Sequence, residues 1–165
     1  MYAIVMDVSG LTIAYQKAVE FLGFSENLAN VMMYVALGLF GIITLIYLIK
    51  LVTYPKAVAN EWNHPVRINF FSAVSISMLM LAIITTKAYP ALHAGFWYAG
   101  TGMHFFMTLY TLSFWINHNQ EIRHSNPAWF IPIVGNVLVP VGGVGLASYT
   151  VLIYFLVLGS SFGLY

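Results

Sequence analysis

The 165-residue sequence contains no cysteine. That excludes a disulfide framework, a thiolate metal site and a cysteine nucleophile. Charge is nearly as scarce: six Lys and Arg with five Asp and Glu make up 7% of the chain, against 61% hydrophobic residues. A soluble domain carries about 25% charged residues, and so few charges cannot cover a soluble globule of this size. The net charge of +1 provides no clustered basic face for a nucleic acid. A phosphate loop is missing too, because Gly142-Gly-Val-Gly145 lacks the Lys-Ser/Thr pair and follows no strand. Met1 opens no basic n-region, so no signal peptide is expected at the start.

What is present is a set of long uncharged runs. They cover 23 residues between Glu26 and Lys50, 19 between Arg67 and Lys87, 33 between Lys87 and Glu121, and 42 from His124 to the end. A helix needs about 20 apolar residues to cross about 30 Å of hydrocarbon. The lipid core admits only helices and closed barrels, and stretches such as Met78 to Ile84 do not alternate as barrel strands would. The expected fold is therefore all-α and integral to a membrane. Six segments are expected, over about 1–15, 28–49, 68–86, 91–116, 128–147 and 149–165, in one transmembrane domain. The first has about 16 residues before Lys17 and the sixth about 17, so both termini read as cut through helices.

The basic residues orient the bundle. Lys50, Lys56 and Arg67 lie between segments two and three, and Arg123 lies between four and five; the opposite side has Lys17 and Lys87. Four against two favours a cytoplasmic N-terminus. Trp115 and Trp129 on one side, and Tyr89, Trp97 and Tyr98 on the other, read as interface belts.

Polar residues inside the segments carry two readings each. On segment three, Ser72, Ser75, Leu79, Ala82 and Thr86 recur at spacings of 3, 4, 3 and 4, which puts them on one face. Such a face lines a wet pore or lets helices pack closely and hydrogen-bond. On segment five, Pro132 and Pro140 each remove an amide donor, and Asn136 lies four residues from both. Irregular backbone at this depth faces protein or a cavity, so Asn136 faces a cavity or satisfies the kinked backbone. Asp7 is the one carboxylate deep in a hydrophobic segment, where charge is costly and usually faces a cavity; in an anion route it would repel the permeant ion.

His104 and His118 stand 14 residues apart on segment four, which nearly returns them to one face. That spacing suits two haems, each of which needs a second ligand from another helix. His64 and His124 sit in loops and His93 on segment four itself, so no partner pair exists. The line Thr101, His104, Thr108, Thr111, Trp115, His118 is expected to pack on a neighbouring helix, and neither a cofactor nor a metal is expected.

Three stretches carry a family resemblance. They are Gly10-Leu-Thr-Ile-Ala-Tyr-Gln-Lys-Ala18; Tyr54-Pro-Lys-Ala57 with His64-Pro-Val-Arg67 and Asn69-Phe-Phe71; and Ser125-Asn-Pro-Ala-Trp-Phe-Ile-Pro132 with Val134-Gly-Asn136 and Val139-Pro140. Together they resemble the tellurite-resistance/dicarboxylate transporter family, also called the slow-anion-channel or malic-acid-transport family, across essentially the whole chain. The resemblance implies ten helices as five hairpins in a quasi-fivefold ring, with odd-numbered helices around a central pore and even-numbered ones outside. It also implies a trimer of the full-length protein. This chain would supply the N-terminal half, about five and a half helices, without the ninth helix to which the family's gating phenylalanine belongs. Asp7 stands where the family commonly has glycine.

The implied function is a non-enzymatic, passive channel or exporter for small inorganic anions or C4-dicarboxylates, multi-pass in a bacterial inner membrane. The candidate pore-lining residues are Asp7, Gly10, Ser72, Ser75, Thr86, Pro132, Asn136 and Pro140. The alternatives are a haem-binding membrane redox subunit on His104 and His118, and a non-transporting membrane partner if 165 residues is the complete product.

Overall fold

The computed structural model describes residues 1–55, 72–117 and 131–162. Six helices are seen there: α1 (Tyr2–Leu22), α2 (Glu26–Thr53), α3 (Ser72–Thr85), α4 (Pro90–Asn117), α5 (Ile131–Gly142) and α6 (Tyr149–Phe162).

Local chemistry sets several boundaries. α1 runs on past Tyr15 and stops where Gly23 adopts a left-handed conformation at φ 71°, its N–H reaching Val19 O. Glycine takes that conformation at little cost. Glu26 opens α2 and Lys50 sits in its last turn, each sign favoured by the helix dipole. α3 ends at Thr85, and Pro90 opens α4, a first-turn position that needs no amide donor. Segment five is shorter than its apolar run. Its helix ends at Gly142, and residues 144–147 form a turn and bend around Gly145 at φ 87°. Pro140 near that end cannot donate to the helix, and the following glycines allow the chain to reverse.

α1, α3 and α5 pack consecutively, side by side. α2 lies against α1 and α3, α4 against α3 and α5, and α6 against α5. α3 is the centre of this arrangement: ten of its 14 residues are buried. It contributes Ala73, Leu81 and Ile84 to a core with Tyr2, Val5, Met33, Ala36, Phe40 and Ile43. From its other side Leu79 and Ala82 join Trp97, Val139, Leu152 and Phe155.

α2 is the opposite case. Its buried residues are Ala29, Met33, Ala36, Phe40 and Ile43, a single seam at spacings of 4, 3, 4 and 3, while Val31, Val35, Ile42, Leu45 and Ile49 are exposed. Among the described helices it is the one both long and apolar enough to cross a membrane. An apolar helix so little covered by protein has hydrocarbon as its natural surroundings.

Candidate functional site

The polar face expected on α3 lies along α4. The two helices are antiparallel neighbours, and their contacts form a ladder. Ser75 Oγ is 2.8 Å from His104 Nδ1 and donates to Ser72 O at 2.8 Å. Both distances are met when Nδ1–H donates to the serine oxygen. One turn on, Gly100 lies against Met78 and Leu79, at 3.1 and 3.2 Å from where a Cβ would stand. At the far end His93 Nδ1 donates to Ala82 O at 2.9 Å, with Thr86 Oγ1 3.3 Å from the same nitrogen. The face thus meets small residues and two imidazoles.

α5 closes the other side of this seam. A Cβ on Gly135 would overlap the Cε1–Nε2 edge of the His104 ring, so the imidazole occupies the space where α5 has no side chain. Thr108 Oγ1 donates to His104 O at 2.9 Å and accepts from Asn136 Nδ2 at 3.3 Å. Ser75, His104, Thr108 and Asn136 therefore join three helices through one buried polar chain. Each is no more than 4% exposed. Lower down, Trp97 Nε1 donates to Val139 O at 3.0 Å. Its ring fills the space left by Gly143, whose Cβ would be 2.6 Å from Trp97 Cζ2.

The expected site residues thus fall into two groups. Ser72, Ser75 and Asn136 are buried in or beside the seam, and the Ser72 hydroxyl has no hydrogen-bond partner among the described residues. Thr86 follows the end of α3, exposed, its hydroxyl donating to Ile83 O at 2.8 Å. Pro140 is half-buried in α5, and Pro132 is the second residue of that helix as described. Gly10 and Asp7 belong to α1, away from the seam. Gly10 is half-buried beside Met80 of α3, and Asp7 is exposed.

Trp97 does not sit in an interface belt: it is 3% exposed, because two glycines of α5 and the region after it make room and Val139 O takes its N–H. Tyr98 beside it is exposed, donating to Leu146 O at 3.3 Å. The haem alternative meets a steric obstacle at His104. Its ring is fully buried between Ser75 and Gly135, and a macrocycle fits there only if the three helices separate. His118, the Trp115 side chain, Trp129 and the basic residues Lys56, Arg67 and Arg123 lie outside the described residues.

The flank of α1 is differently built. Tyr2, Val5, Ser9 and Thr12 are its buried side. Ala3, Asp7, Gly10, Ala14 and Lys17 recur at 4, 3, 4 and 3 along another side, exposed except for half-buried Gly10. At its far end Lys17 Nζ is 3.0 Å from Glu20 Oε2, and Lys87 Nζ from the turn after α3 is 3.6 Å from the same oxygen. The hydrogen bond from Lys17, then the charges of both lysines, hold the Glu20 carboxyl below its usual range. Gln16 Nε2 donates to Ile84 O at 2.9 Å beside this cluster, tying α1 to the end of α3.

Comparison with known proteins adds a lineage to this geometry. The sequence profile described as the voltage-dependent anion channel SLAC1 matches residues 1–165. An uncharacterized transporter of Methanocaldococcus jannaschii is 29% identical over 99% of this chain and 51% of its own length. The S-type anion channel SLAH2 of Arabidopsis thaliana is 28% identical over 92% of this chain and 30% of its own. A tellurite resistance protein TehA homolog of Haemophilus influenzae is 23% identical over 90% of this chain and 45% of its own. The chain spans about half the length, or less, of these relatives.

Proposed function

The chain belongs to the SLAC1 voltage-dependent anion channel family, and from that premise we propose that it forms part of the wall of a passive route for small anions, inorganic or C4-dicarboxylate, across a bacterial inner membrane. The family match over all 165 residues carries this reading. The consecutive packing of α1, α3 and α5, each also packed on the helix that follows it in sequence, supports it as one arc of a ring of hairpins. In this reading the N-terminus is cytoplasmic and the full-length protein is a trimer with one route per protomer.

The residues divide the work. Gly10 of α1 and Pro132 and Pro140 of α5 border the route, with Asp7 on the same side of α1 as Gly10, while Ser72 of α3 is buried behind it. Thr86 stands at a mouth. Ser75 and Asn136, through His104 and Thr108, hold the outer helix to the wall. Lys and Arg are absent from the uncharged runs, so a ring of basic side chains is not the selectivity element in this part of the protein. Width, hydroxyls and backbone dipoles where Pro140 and the glycines end α5 take that role.

The test is anion flux through proteoliposomes containing the natural full-length protein. A chloride, nitrate, sulfite or malate gradient alone is expected to drive flux without any nucleotide. Absence of flux for all four anions overturns the reading.

A further inference from the structure

Asp7 is the carboxylate that the seam does not use. It lies among uncharged residues, with no other Asp, Glu, Lys or Arg before Lys17. Its side chain is exposed, and among the described residues nothing pairs with it. Lys17 is ten residues further along α1, about 15 Å by the helical rise, and is engaged by Glu20. Tyr2, on another side of the helix, makes the contact with α2, its hydroxyl donating to Thr44. Gly10, one turn on from Asp7, borders α3 through Met80. The carboxylate therefore lies on the side of α1 shared with Gly10, exposed and away from the seam, where the reading above puts the route. An ionised group at this depth is stable where water reaches it and costly where lipid does.

We infer that Asp7 sets the charge preference of the route, disfavouring dianions relative to monovalent anions. This rests on the anion-route reading above. The repulsion between a fixed carboxylate and a passing ion is proportional to the ion's charge. Its effect on a dianion is therefore the square of its effect on a monovalent ion. Ala3 and Gly10 are small neighbours one turn either way, and exposed Ile4 and Leu11 flank the carboxylate on its other side without a charge to screen it. Its position within the first helix makes it a local barrier, distinct from the lysines at the far end.

The experiment uses the natural full-length protein in proteoliposomes. Asp7→Asn is expected to raise chloride flux about three-fold and malate dianion flux about ten-fold, following the doubled exponent. Asp7→Glu keeps the charge and is expected to stay near wild type in the malate-to-chloride ratio. An unchanged ratio in Asp7→Asn overturns the inference while leaving the route itself standing.

A second measurement does not depend on transport. The described chain has no cysteine, so Asp7→Cys introduces a single thiol into it. In folded protein with a wild-type melting profile, a membrane-impermeant methanethiosulfonate is expected to label that thiol. An anionic reagent is expected to restore the low malate-to-chloride ratio, and a cationic one to raise it further. Failure to label shows the position to be covered by lipid or protein and overturns the inference whatever the flux. If the wild type carries no anion at all, the route falls and the charge preference falls with it.

Discussion

The seam between α3, α4 and α5 and the open flank of α1 contain the same kinds of residue in opposite circumstances. Both place small and polar side chains at helical spacing within apolar helices. In the seam three steps of the pattern have a counterpart on α4, the Ser72 hydroxyl being the exception: Ser75 meets His104, Leu79 meets Gly100, Ala82 meets His93, and Gly135 accommodates the imidazole that Ser75 orients. Along α1 the pattern of Ala3, Asp7, Gly10 and Ala14 leaves a carboxylate exposed. Small-polar periodicity alone therefore does not distinguish a wall from its mortar. The partner across the gap does, because a buried polar group must find a hydrogen bond and a charged one must find water or a counter-charge.

The contrast can be broken most severely at Gly135. Gly135→Val puts methyl groups into the His104 ring and is expected to cost about 3 kcal/mol or more through overpacking. A collapse of the melting transition in detergent, or loss of monodisperse protein, is the expected result. His104→Ala comes next. It empties a fully buried site and removes the donor to Ser75 Oγ, which keeps its bond to Ser72 O, for about 2 kcal/mol, read as a lowered melting temperature. Trp97→Phe keeps most of the ring but leaves Val139 O without its donor. About 1 kcal/mol is expected, and the same melting assay checks it.

The smallest effect belongs to the flank. Glu20 is exposed, and its carboxyl is held below its ordinary value of 4.5 by Lys17 and Lys87. A lowered folded-state value means that its contribution is complete above the ordinary carboxylate range and is lost as pH falls through the lowered one. Exposure and salt screen it. Glu20→Gln is therefore expected to shift melting slightly at pH 7 and low salt. At pH 3, or in high salt, that difference from wild type should shrink.

How much of this was legible in the sequence depends on the kind of statement. The uncharged runs marked helices well, since charge is excluded wherever a helix meets hydrocarbon or core. The spacing of Ser72, Ser75, Leu79 and Ala82 correctly put them on one face. It could not say what faces them, because periodicity within one helix gives a direction and not a neighbour. The information lay in α4, where His104 and Gly100 have the matching interval of four, read in the opposite sense. Trp97 was misplaced at an interface because its position near a turn resembles that of a belt residue. Only the approach of Gly142 and Gly143 makes its burial possible. The apolar run over 128–147 holds a helix that ends at Gly142, because composition stays apolar through a turn made by Pro140 and glycine.

The single buried stripe of α2 carries a mechanical consequence. Its uncharged run of 23 residues is about 34 Å long at the helical rise, longer than the roughly 30 Å of a typical hydrocarbon core. A rod that exceeds the slab it stands in leans over, and this one has one line of residues, from Ala29 to Ile43, on which to pivot. Thickening the bilayer straightens it, and thinning the bilayer tips it further. Through Phe40 and Met33 that lean presses on Tyr2 and Val5 of α1. α2 thus couples lipid thickness to α1, the helix it packs against.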